Sequence, residues 1–118
     1  MSNKKDVGDT SLARNEFEAL HSFQRIMWDK LMANTHKGGW GGAEPLDLFA
    51  RLEGEGGELA LAIDAYILAC NMTITDPNHP RIVAARVAVA KECADVANFA
   101  MMIADVVGGL PYQRRNGG

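Results

Sequence analysis

The chain has 118 residues, 47% of them hydrophobic and 23% charged, with a formal net charge of −3. That length allows one domain with one modest core. The acidic balance leaves no general basic footprint, which excludes duplex nucleic acid as an expected partner, and no apolar run approaches the roughly 20 residues of a membrane span.

Residues 1–11 read as a flexible polar segment. No hydrophobic stretch follows its lysines, so a secretory signal is not expected and the expected location is cytoplasmic. A first helix is predicted from about Asn15 to Asn34, with Phe17, Leu20, Phe23, Gln24, Met27 and Leu31 on one broad face. "HKGGWGGAEP" then breaks the pattern, because no helix propagates through four glycines. Pro45 fits the first turn of a second helix, predicted to run to about Ala69. "NMTITDPNHP" is the next break, and a third helix follows from about Arg81 to Val107. "GGLPYQRRNGG" trails off as a tail. No strand pattern of useful length appears. The expected architecture is all-α: one domain over residues 12–110, built as a bundle of three long helices, with residues 1–11 and 111–118 flanking it. Cys70, Cys93, Trp28, Met27, Met101 and Met102 are expected in the core, the cysteines as reduced thiols. Arg86 and Lys91 are expected in solvent. Long apolar seams on so short a chain point to a bundle completed by a second copy, with a symmetric dimer the simplest assembly.

The second helix carries an anomaly. Its seam reads Leu48, Leu52, Glu55, Leu59, Ala62, Tyr66, with an acid inside the apolar row and Glu58 about 60° to one side. Gly54, Gly56 and Gly57 fall in the same turns, each costing about 1 kcal/mol against alanine. They leave room for close approach of a helix or a ligand, or else mark a kinked turn. The third helix repeats the anomaly in the seam Ala88, Glu92, Asp95, Phe99, Met102, Val106. Neither row holds a lysine or arginine. An acid pair three residues apart is ordinarily a solvated face. Two such pairs inside apolar seams are different, because burying unpaired carboxylates costs several kcal/mol. A hard cation resolves the cost. Mg²⁺ takes oxygen ligands and shares its shell with waters and phosphates, and paired acids on facing helices are one way to build such a site in a bundle.

"GEGGEL" and "KECADVANF" resemble the MazG-like nucleoside triphosphate pyrophosphohydrolases, the all-α NTP pyrophosphatases. That family is marked by E-x-x-E and, on a later helix, E-x-x-D. Here these are Glu55 and Glu58, then Glu92 and Asp95, with Asn98 following. The likeness spans about residues 20 to 107. It implies an α-helical bundle assembled as a homodimer or a dimer of dimers. It also implies Mg²⁺-dependent cleavage of a (d)NTP to the monophosphate and pyrophosphate, with Mn²⁺ as a substitute ion. By position, Glu55, Glu58, Glu92 and Asp95 would hold the metal and Asn98 would lie near the substrate. Many members carry a further Glu at the position of Gly54, and a basic, Asn-containing segment after the last motif helix. Only "QRRN" at 113–116 stands in that place here.

Hydrolysis of a phosphoanhydride needs positioning, charge neutralisation and an oriented water. Glu58, at the edge of its seam, is the expected proton acceptor. In the loop, Trp40 is suited either to stacking on a base or to folding back as a lid on the core. Lys37 suits a phosphate contact or plain solvent exposure. His36 suits a base or sugar contact or the capping of the helix before it. The rival reading is a catalytically degenerate helical dimer that binds nucleotides or partners without turnover. A di-iron carboxylate protein would need Glu-x-x-His pairs in its bundle. His21, His36 and His79 all lie outside the two acidic rows.

Overall fold

The computed structural model describes the backbone of residues 3–72 and 76–112, with their side chains except those of 3–11 and His36. Among the described residues it is all-α, with no strand. Helix α1 spans Asn3–Ala33, a single 3₁₀ turn covers Thr35–Lys37, α2 spans Pro45–Asn71 and α3 spans Pro80–Val106. Helix α1 starts well before the Asn15 that apolar spacing suggests. No proline interrupts residues 3–15, and a helix propagates through polar residues without needing an apolar face. The "QRRN" segment lies outside the described residues.

The helix ends follow local chemistry. At the end of α1, Asn34 Nδ2 donates to Lys30 O at 2.9 Å and Thr35 Oγ1 donates to Met32 O at 3.0 Å, satisfying carbonyls the helix leaves open. Pro45 and Pro80 each occupy a first turn, where their missing N–H costs nothing. His79 caps α3, its Nδ1 accepting from the Arg81 N–H at 3.1 Å. Gly108 ends α3 with φ of 79°, a conformation that favours glycine.

Helix α3 is the central element. It packs along α2 and, more lightly, against α1, while α1 and α2 do not pack on each other. In α2 the seam read from the sequence is the buried stripe. Leu48 is buried, and Leu52, Glu55, Leu59, Ala62 and Tyr66 are half-buried. In α3 the stripe starts differently, since Ala88 is exposed and Ile82, Ala85 and Val89 turn inward instead. Beyond Val89, α3 is half-buried on most sides because it lies between two helices.

The core is thin. Leu48, Ala69, Ile82 and Ala94 are the only buried apolar residues among those described. The chain spreads over 51 × 47 × 22 Å with a radius of gyration of 18.3 Å, against about 13–14 Å for a compact domain of this length. Two expected core residues are outside: Trp28 is 59% exposed and Cys70 is exposed. Phe17 and Leu20, on the apolar face of α1, are exposed as well. In each case the helix face exists but no element among the described residues covers it. Cys93, Met27, Met101 and Met102 are half-buried. No helix among the described residues is long and apolar enough to cross a membrane.

Candidate functional site

A cleft of about 330 Å³ opens where the C-terminal end of α1, the glycine-rich loop, the first half of α2 and the second half of α3 meet. Its wall carries Lys30, Lys37, Trp40, Arg51, Glu55, Asp95 and Asn98, with Leu48, Phe99 and Met102 among its apolar residues. The volume falls within the range of small-molecule sites, and a mostly preformed pocket with a few convergent polar groups is their usual form.

Acids from two helices converge at the edge of this cleft, with Glu55 and Asp95 in its wall and Glu92 beside them. Glu55 on α2 and Glu92 and Asp95 on α3 each offer a carboxylate oxygen, and these oxygens lie within 4.8 Å of one another. All three residues are half-buried. The cause is the register of the two seams, which places Glu55 opposite the turn that carries Glu92 and Asp95. Burial raises the Glu55 carboxyl above the ordinary carboxylate value, and the charges of Asp95, Glu92 and Glu58 push it further in the same direction. Lys30 on α1 opposes this and pairs with Asp95, Nζ to Oδ2 at 3.2 Å.

Glu58, expected as the fourth ligand, stands apart. It is exposed and outside the group of converging oxygens, although its charge still acts on Glu55. Asn98 is 4% exposed; its Nδ2 donates to Met27 O at 3.1 Å and so ties α3 to α1. Its Oδ1 has no hydrogen-bond partner among the described residues. Trp40 is half-buried and lines the cleft, and its Nε1–H donates to Asp105 Oδ2 at 2.8 Å. It therefore both folds back onto α3 and stays in the cleft wall. Lys37 is exposed on the cleft wall. His36 lies in the 3₁₀ turn, and its side chain is outside the described part.

Close approach does not explain the three glycines within one chain. A Cβ at Gly54, Gly56 or Gly57 would meet nothing within 4 Å. One Glu-x-x-His pair does exist, Glu18 and His21 on α1. Both residues are exposed, and neither lines the cleft.

Sequence reasoning missed Lys30, Arg51 and Asp105. Lys30 follows Met27 by three residues, so it is a cation on the edge of an apolar face. Arg51 precedes Glu55 by four residues, which makes the two neighbours on one helix; its guanidinium lies 5.4 Å from the Phe99 ring centroid. Asp105 lies on the row through Ala94, Asn98 and Met101, a second inward face of α3 that a single-seam reading passes over. Comparison with protein-family models, curated proteins and solved structures gives no match to this chain.

Proposed function

We propose that the chain is a MazG-like nucleoside triphosphate pyrophosphohydrolase, a Mg²⁺-dependent enzyme that cleaves a (d)NTP to the monophosphate and pyrophosphate. One observation carries the reading: Glu55, Glu92 and Asp95 bring carboxylate oxygens within 4.8 Å of one another at a cleft that also holds cationic side chains and a tryptophan. The donor set fits a hard divalent ion. It is all oxygen, drawn from facing helices, and Lys30 is the one cation that forms an ion pair with it among the described residues, which leaves negative charge uncompensated. Glu55, Glu92 and Asp95 would hold Mg²⁺, or Mn²⁺ in its place. The bound ion would supply charge neutralisation at the phosphates and an acidified water.

The chain's own residues account for the rest. Lys30, Lys37 and Arg51 face the cleft as positive charges for a polyphosphate. Trp40 offers a ring for the base. Glu58 lies one turn from Glu55 and outside the converging group, which suits a carboxylate that takes the proton of the attacking water. Asn98 holds the helix crossing beside the acids, so it orders the site as well as lining it. We further propose a homodimer, or a dimer of dimers, in the cytoplasm. The exposed apolar faces of α1 and α2 support the assembly.

The position of Glu58 also favours a second reading, a helical dimer that binds nucleotides without turning them over. One experiment separates the two: incubation with each common NTP and dNTP plus Mg²⁺, followed by identification of the products. Monophosphate and pyrophosphate support the hydrolase. Nucleotide recovered intact alongside measurable binding supports the module. Inorganic phosphate and a diphosphate contradict both.

A further inference from the structure

Asp105 is the one buried acid among the described residues, at 8% exposure, and the proposed reaction does not use it. Among the described residues its oxygens accept from two donors. Oδ2 accepts the Trp40 Nε1–H at 2.8 Å, and Oδ1 accepts the Tyr112 O–H at 2.6 Å. Trp40 lines the cleft, whereas Asp105 and Tyr112 do not. The indole has a single donor and no acceptor. With that donor engaged outside the cleft, the ring has only its apolar π surface to offer a ligand.

The backbone explains how these three residues meet. The loop turns tightly at Trp40, where the Ala43 N–H donates to Trp40 O at 2.9 Å. On the other side, α3 stops at Gly108, and the Gly109 N–H donates back to Ala104 O at 2.8 Å. This stop folds the following residues along the helix end and delivers Tyr112 to Asp105. Residues 65 apart in the chain are thereby joined, and the turn after α3 becomes part of the support for the cleft wall.

We propose that Asp105 is a positioning residue, which, braced by Tyr112, fixes Trp40 as the aromatic wall of the cleft so that a nucleobase meets its ring face and not its N–H. The inference rests on the reading that the cleft takes a nucleotide. Stacking tolerates any base, so this arrangement favours broad base acceptance, with affinity set by how firmly the ring is held.

The test uses Tyr112→Phe and Asp105→Asn, each made in a Trp28→Phe background so that Trp40 remains the only one of the two tryptophans. Tyr112→Phe keeps the exposed ring and removes only the hydroxyl, so it guards against loss of fold in the buried Asp105 variant. Three quantities are read: acrylamide quenching of Trp40 without ligand, binding of AMP, GMP, CMP and UMP with Mg²⁺ through Trp40 emission, and kcat and KM for the triphosphates. Both variants are expected to quench more readily and to bind the monophosphates and triphosphates on the order of tenfold more weakly, equivalent to about 1.4 kcal/mol. Their kcat should stay within about twofold of the background protein, since stacking is nearly equal in ground and transition states. If the background protein binds the monophosphates and both variants bind as tightly, the positioning role is wrong and the nucleotide reading stands. A fall in kcat with unchanged KM also overturns it, because that places Asp105 in the fold or the chemistry. If no nucleotide binds the background protein, the nucleotide reading fails and this inference fails with it.

Discussion

Glu55 shows how a single side chain reports on its surroundings. Burial, then Asp95, Glu92 and Glu58, hold its carboxyl above the ordinary 4.5, against the pull of Lys30. At a pH between 4.5 and the raised folded value, the folded chain keeps a proton that the unfolded chain releases. Its contribution to stability is fully present below 4.5 and is lost as pH rises through the folded value. In metal-free protein, the parent is expected to lose melting temperature relative to Glu55→Gln as pH rises through that window. Parallel curves would mean that Glu55 does not feel its acidic neighbours. Trp40→Ala is expected to raise KM on the order of tenfold with kcat close to the parent value, from a stacking contribution of about 1–3 kcal/mol. Normal KM with reduced kcat would place the ring in the catalytic geometry instead. The acids were legible in the sequence because a carboxylate inside an apolar row is anomalous wherever it appears. Lys30 and Arg51 were not, because a cation near a helix end or on an exposed face looks ordinary until the opposing helix is in place.

At the scale of the elements, spacing located α2 and α3 closely, since prolines mark their starts and glycine or the end of periodicity marks their stops. The start of α1 was not legible in the same way. Residues 3–15 lack an apolar face, and a helix without one leaves no periodic signal. The seam of α2 also emerged in full, whereas α3 has inward positions on more than one side because two helices flank it. The glycines of α2 remain the unusual feature of that element. Gly57 is exposed, and a Cβ there has open space around it. Within a single chain, Gly57→Ala is expected to stabilise the protein by about 1 kcal/mol, the difference in helix propensity. The urea midpoint should rise with an unchanged slope. A fall in the midpoint would show that something outside the single chain, such as a second copy, closes on that turn.

The whole molecule has more apolar surface than one chain covers. On α2, Leu46 is 80% exposed and Leu68 67%, with Phe49, Leu61 and Ile67 also exposed. Exposed apolar residues gathered on one element in this number suit an interaction surface, and four buried apolar residues among those described are a small core for three long helices. Light scattering at micromolar concentration is expected to give a dimer or a larger closed assembly, and a stable monomer would contradict it. The expectation of a partner comes from helix length against chain length. Which faces stay uncovered was not legible in the sequence, because that depends on α1 packing on α3 and leaving α2 bare on its outer side.

Glu55, Glu92 and Asp95 are proposed to serve a divalent cation that nucleotide cleavage requires. Asp95→Asn addresses this most directly. The change keeps the side chain's size and one acceptor oxygen, and it removes one negative charge from the group. Pyrophosphate release from NTPs in Mg²⁺ is to be measured on the parent and the variant, with metal-free thermal unfolding on the same samples as the check on fold. The expected result is pyrophosphate and monophosphate from the parent, loss of both from the variant, and a variant that still melts cooperatively. Parental pyrophosphate release by a folded Asp95→Asn would contradict the account.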